Sequence, residues 1–92
     1  MLAKIKIQDR EKYAAYEAGF MTIFEKYKGT MLAVDEAPVL LEGGWDVTRT
    51  VLIQFPARED AQAWYRSEEY QSLAQHRFAA SAADIVIVSG LG

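Results

Sequence analysis

Two adjacent residues near the end of a helical stretch carry most of the chemistry this chain offers, His76 and Arg77. His76 is the one histidine, and an imidazole that titrates near neutrality serves as a general base. Arg77 carries a planar guanidinium that grips a carboxylate through two parallel hydrogen bonds. Each has a plainer reading. His76 sits equally well on the outer face of its helix, and Arg77 equally well in an ion pair that ties the helix to Asp46 or Glu42. Trp64 and Tyr65 are neighbours on a helix, so their side chains diverge by about 100° and one of them faces the interior. Trp64 is expected to anchor the core, while Tyr65 or Tyr70 meets a loop through its hydroxyl. Tyr13, Tyr16, Phe20, Phe24 and Tyr27 follow helical spacing. They form a core stripe or one wall of an apolar pocket. Glu42 and Asp46 flank a Gly43-Gly44-Trp45 turn. The expected ligand-contact set is Arg77, Trp64, His76, Tyr16 and Trp45, with no catalytic residue assigned.

The chain has no cysteine. That removes disulfides, thiolate metal sites and a cysteine nucleophile. One histidine with no His/Glu helix spacing gives no zinc motif. Glycine-rich phosphate loops and nucleophile elbows are missing as well. No metal and no cofactor is expected.

These residues need elements to position them. Strand-like runs fall at Leu2–Ile7, Thr30–Asp35, Arg49–Phe55 and Ile85–Val88. Asp9 is a plausible N-cap for a first helix that Gly29 stops. Val39-Leu40-Leu41-Glu42 reads as an extension of the second strand beyond Pro38. Arg58–Arg66 reads as a helix, and Ser67 followed by Glu68 and Glu69 marks a new or kinked one. That last helix carries Tyr70, Leu73, Ala74 and Phe78 inward, and Ser81–Asp84 links it to the fourth strand. The order β-α-β-β-α-β is the ferredoxin-like split arrangement, an α+β fold. It predicts a four-stranded antiparallel sheet with its helices on one face, in a single domain over residues 1–92. Ile85-Val86-Ile87-Val88 and Val51-Leu52-Ile53 do not alternate with polar residues, so both faces of the sheet call for cover. A second copy of the chain is the expected cover.

Hydrophobic residues make up 51% of the 92 positions. A lone domain of this size buries only roughly 60–65% of its unfolded surface, which also favours a homodimer. Net charge is −3, with a pI near 5.0, which argues against nucleic acid and anionic membranes as partners. No apolar run approaches the roughly 18 residues of a membrane span, and Met1–Ile7 lacks a signal-peptide core. The expected location is cytoplasmic.

One segment carries a resemblance. Phe55-Pro56, Ala63-Trp64-Tyr65, Ser67, Tyr70, Leu73 and Arg77 are similar to the signature of the domain-of-unknown-function family 1330. So are Tyr13, Tyr16, Tyr27-Lys28-Gly29, Leu41-Glu42-Gly43 and Val86–Gly90, so the likeness spans the chain. Members resemble the dimeric α/β-barrel superfamily, which implies sheets paired face to face between two copies. Many relatives carry Arg-Gly-Gly after the second strand, where this chain has Asp35-Glu36-Ala37. Any anion contact made by that turn in relatives is not carried over. The family has no established activity, and the superfamily spans cofactor-free monooxygenases, haem-degrading enzymes, lactone isomerases and ligand sensors. Haem degradation does not fit. The position matching the histidine of those enzymes is Ala74, and the chain has no asparagine.

Two readings follow. One is a small-molecule-binding protein or cofactor-independent enzyme, with an apolar pocket between sheet and helices that takes a small apolar or aromatic carboxylate or carbonyl compound. The other is a non-catalytic dimeric structural or ligand-sensing module.

Overall fold

The sheet has the strand order β2-β3-β1-β4, with every neighbouring pair antiparallel. In this computed structural model, which describes residues 1–91, the elements are β1 (Leu2–Ile7), α1 (Arg10–Phe24), β2 (Thr30–Asp35), β3 (Arg49–Gln54), α2 (Arg58–Arg66), α3 (Glu68–Ala80) and β4 (Ser81–Val86). This is the ferredoxin-like arrangement expected from the element order. The Cα trace measures 36 × 33 × 15 Å, a depth that fits one sheet and one helical layer. No helix among the described residues is long and apolar enough to cross a membrane.

Alternation in β1 decides which face is which. Ala3 and Ile5 are buried, while Lys4 and Lys6 point the other way. Val51 and Ile53 join the buried face from β3, and Ile85 packs against the same core from β4. The core lies between this face and the aromatic stripe of α1, with Trp64, Tyr70 and Ala74 from α2 and α3.

The open face is less apolar than the sequence runs imply. Register aligns Leu2 with Leu52 on one side and Val86 on the other, and Leu52 with Ala33. These residues form one apolar row across all four strands. The next row, Thr50, Lys4 and Asp84, is polar. Trp45 lies over it, its Nε1 donating to Thr50 Oγ1 at 2.9 Å and its ring 4.5 Å beneath Lys4 Nζ.

The caps follow the sequence. Asp9 Oδ1 accepts from the Lys12 amide at 3.2 Å and starts α1. That helix ends at Phe24, earlier than Gly29, through tighter i→i−3 bonds from Lys26 and Tyr27. Gly29 serves instead as a close-packing site, because a Cβ there would fall 2.5 Å from the Phe24 ring. Ser67 Oγ accepts from the Tyr70 amide at 3.2 Å and donates to the Trp64 carbonyl at 2.8 Å. One hydroxyl thus closes α2 and opens α3, with Glu68 and Glu69 in the first turn. Ser67→Ala is expected to cost about 1 kcal/mol, read as a lower urea midpoint at unchanged m-value. An unchanged midpoint would mean that backbone geometry alone sets the break.

Three expectations are corrected. β4 begins at Ser81, directly after Ala80, and ends at Val86, so the expected linker Ser81–Asp84 is itself strand. The Ala80 carbonyl accepts from Gln8 and Asp9, which fastens this junction to the end of β1. Val39, Leu40 and Leu41 are not strand; they sit exposed in the connection after β2. β2 is an edge strand whose partner β3 starts only at Arg49, so nothing remains for residues 39–42 to pair with. Phe78 is 47% exposed, and its inward place is taken by Arg77 at 4%.

Candidate functional site

Helical periodicity puts Arg77 indoors. Tyr70, Ala74 and Arg77 stand at i, i+4 and i+7 on α3, and all three are buried. The guanidinium lies between two rings, its Cζ 4.9 Å from the Phe78 centroid and 5.8 Å from that of Tyr16. Its Nε and Nη2 make no hydrogen bond. No carboxylate among the described residues forms an ion pair with it. The two partners weighed from sequence are elsewhere: Asp46 pairs with Lys6 at 3.0 Å on the open face, and Glu42 is exposed in the loop.

Arg77 lines a cavity of roughly 50 Å³ between the sheet and α1. Ala3, Ile5, Val51, Ile53 and Ile85 supply apolar walls, and Tyr13, Tyr16, Tyr70, Arg49 and Glu17 supply polar groups. The hydroxyls of Tyr16 and Tyr70 share one hydrogen bond at 2.8 Å. Burial pushes the Tyr16 hydroxyl far above the ordinary phenol range, and its Tyr70 neighbour pushes the same way. Burial also raises Tyr13, with Arg49 pulling against it. Burial works against the charge of Arg77, and the Tyr70 and Tyr16 oxygens outweigh it. A phenol is uncharged at neutral pH, however. The oxygens therefore give Arg77 dipoles, and among the described residues it remains a buried cation without a counter-ion.

The second guanidinium differs. Arg49 enters from β3 with 16% of its side chain exposed, 3.6 Å from Glu17 and 3.7 Å from Glu36. Glu36 also accepts from Arg10 at 2.9 Å, and that bond, with the Arg10 charge, holds its carboxyl below the usual range. Arg49 is thus already answered by acids, whereas Arg77 is not.

Of the five expected contacts, Tyr16 and Arg77 meet at the cavity. Trp64 is packed in the ring cluster away from its lining, 1% exposed. Trp45 is on the opposite side of the sheet, over Lys4. His76 faces outward on α3. Sequence reasoning passed over Arg49, Glu17 and Tyr70 as cavity residues. Only the i, i+4, i+7 spacing that joins Tyr70 to Arg77 was there to be read. Among the described residues, no three His, Cys, Asp or Glu side chains gather as a metal would require.

Volume limits what fits. An apolar cavity of about 150 Å³ is the size that takes up benzene, while a water needs only about 10–15 Å³. A space of roughly 50 Å³ holds a few non-hydrogen atoms and no aromatic ring.

Comparison with known proteins agrees with this fold. A protein of unknown function from Rhodopseudomonas palustris, RPA0582, superposes with a TM-score of 0.81 at 19% identity. The match covers 99% of this chain and 80% of that one. The methylated RPA0582 protein superposes with a TM-score of 0.71 at 18% identity, over 97% and 80% of the two chains. No curated protein matches the sequence. The model of the family described as "Domain of unknown function (DUF1330)" matches residues 1–91, and the chain belongs to that family.

Proposed function

We propose that this protein binds a small anionic compound in the cavity between sheet and helices, with Arg77 as the reading group. The observation that carries this is an arginine 4% exposed with two unpartnered guanidinium nitrogens beside an otherwise mainly apolar space. A buried charge without a partner is costly, and a ligand carboxylate removes that cost. The lining suits holding more than transforming. Burial raises the Tyr16 and Tyr13 hydroxyls above the ordinary phenol range, and Glu17 is the one carboxylate among the described lining residues. A melting scan with propanoate tests this. At about 100 times the dissociation constant a ligand adds roughly 2.7 kcal/mol to folding stability, so the melting temperature is expected to rise. His76→Gln should show the same rise, since that side chain faces outward. No rise with propanoate beyond that from chloride at equal ionic strength would overturn the reading.

We also propose that the working form is a homodimer paired through the open sheet faces. Leu52 and Val86, 41% and 50% exposed, sit in an apolar row, and Leu32 and Val88, 59% and 63% exposed, border the same region. The adjoining row presents both a cation and an anion, Lys4 and Asp84. Mixed charge of this kind lets a two-fold interface match itself. Light scattering at micromolar concentration is expected to give the mass of two chains. Leu52→Lys is expected to give one, because it buries a charge at the interface. A folded wild-type monomer would sink the pairing.

A further inference from the structure

We infer that the cavity selects short monocarboxylates over dicarboxylates and other dianions, an inference that rests on the cavity's being a binding site. Charge count is the first argument. The lining holds two guanidinia, Arg77 and Arg49, and one carboxylate, Glu17. Among these side chains one positive charge is left over, and it belongs to Arg77, since Arg49 already lies within 3.7 Å of both Glu17 and Glu36; the ammonium of Met1, which also borders the cavity, is held by the Ile53 carbonyl at 2.7 Å. A single negative charge answers Arg77. A second one would be buried without a partner near Glu17 and held in a low-dielectric space, where like charges repel strongly.

Geometry is the second argument. The unpartnered Nε and Nη2 of Arg77 are the two nitrogens on one edge of the guanidinium. Their N–H bonds run parallel, which is the side-on fork that takes both oxygens of one carboxylate. Both atoms are shut off from water, so binding requires the guanidinium to turn toward the cavity. One carboxylate uses this fork completely, and the other guanidinium of the lining, Arg49, already has acid partners.

The third argument is the walls. Ala3, Ile5, Val51, Ile53 and Ile85 surround the remaining space, so the rest of the ligand is apolar. The volume of roughly 50 Å³ confines it to a chain of a few carbons.

The test is calorimetric titration with propanoate and with malonate, which have the same carbon count, at matched ionic strength and neutral pH. Wild type is expected to favour propanoate by roughly ten-fold or more, as like-charge repulsion of this kind dictates. Glu17→Gln, its fold checked by circular dichroism, is expected to narrow that ratio. Equal or tighter malonate binding would overturn the selectivity while leaving the cavity a binding site. A ratio unmoved in Glu17→Gln would remove Glu17 as its cause and overturn the charge argument. If neither anion binds wild type, or if Arg77→Met binds propanoate as wild type does, the cavity reading falls and the selectivity falls with it.

Discussion

Trp64→Ala is expected to lower the unfolding free energy by about 3–5 kcal/mol, the range for removing a large aromatic side chain from a packed core. The indole is 1% exposed and stands at the centre of the ring cluster. Its centroid lies 4.3 Å from Tyr70, 5.7 Å from Phe24, 5.8 Å from Phe55 and 5.9 Å from Phe20. Those rings come from α1, α3 and the residue after β3, so the hole left by alanine would open at the junction of both layers. A chain of 92 residues has a total stability of roughly 5–14 kcal/mol at typical per-residue values, and the loss is a large part of it. Trp64→Phe should cost less, about 1–2 kcal/mol, because a ring remains and the indole Nε1, buried without an acceptor, is removed. Urea unfolding at constant m-value measures both. A loss below about 1 kcal/mol for alanine, the typical effect of an arbitrary substitution, would show that the cluster closes over the gap.

Arg77 should respond in the opposite sense. Arg77→Met keeps an unbranched side chain on the buried stripe of α3 and removes the uncompensated charge. Two unmade buried hydrogen bonds cost about 1–3 kcal/mol each. The stacking of the guanidinium between Phe78 and Tyr16 returns roughly 0.5–2 kcal/mol. The larger effect wins, so the unliganded variant should be more stable than wild type by about 1 kcal/mol or more, a rise of roughly 4–8 °C per kcal/mol in a domain of this size. The same variant should bind no propanoate. Arg77→Lys keeps the charge and loses the fork, and is expected to weaken binding by roughly ten-fold or more. A variant that gains stability as it loses its ligand is the signature of a residue kept for function. If Arg77→Met instead melts several degrees lower, Arg77 is a structural residue held by its two rings.

The contrast between these residues also shows what could be read from the sequence. Helix starts were legible because a cap is a local device: Asp9 and Ser67 bond amides three residues on, and their neighbours in sequence suffice. Trp64 was legible as core because a large ring has few other places to go. Arg77 was legible as a pocket contact, but its full burial in place of Phe78 was not, because hydropathy favoured Phe78 and masked the spacing with Tyr70 and Ala74. β4 was misplaced for a related reason. Ser81, Ala82, Ala83 and Asp84 carry almost no apolar signal, and they are strand because β1 pairs with each of them. The Val39-Leu40-Leu41 run failed in reverse, being apolar with no strand to receive it. Arg49 and Glu17 come from separate elements, so only the folded chain brings them to the cavity.

The register shift between Met31 and Ala33 in β2 makes the two rims of the sheet unequal as templates for growth. An unbroken edge strand exposes a regular row of amides and carbonyls on which another chain can extend the sheet without limit, the geometry of amyloid. β2 bears exposed Leu32 and Val34, the composition most prone to this, and its bulge breaks the amide spacing there and adds local twist. β4 has no such interruption; it pairs in register with β1 along all six of its residues. Its protection is compositional instead: Ser81, two alanines and the charged Asp84 give an incoming strand little to zip against. One rim is guarded by shape and the other by side chains.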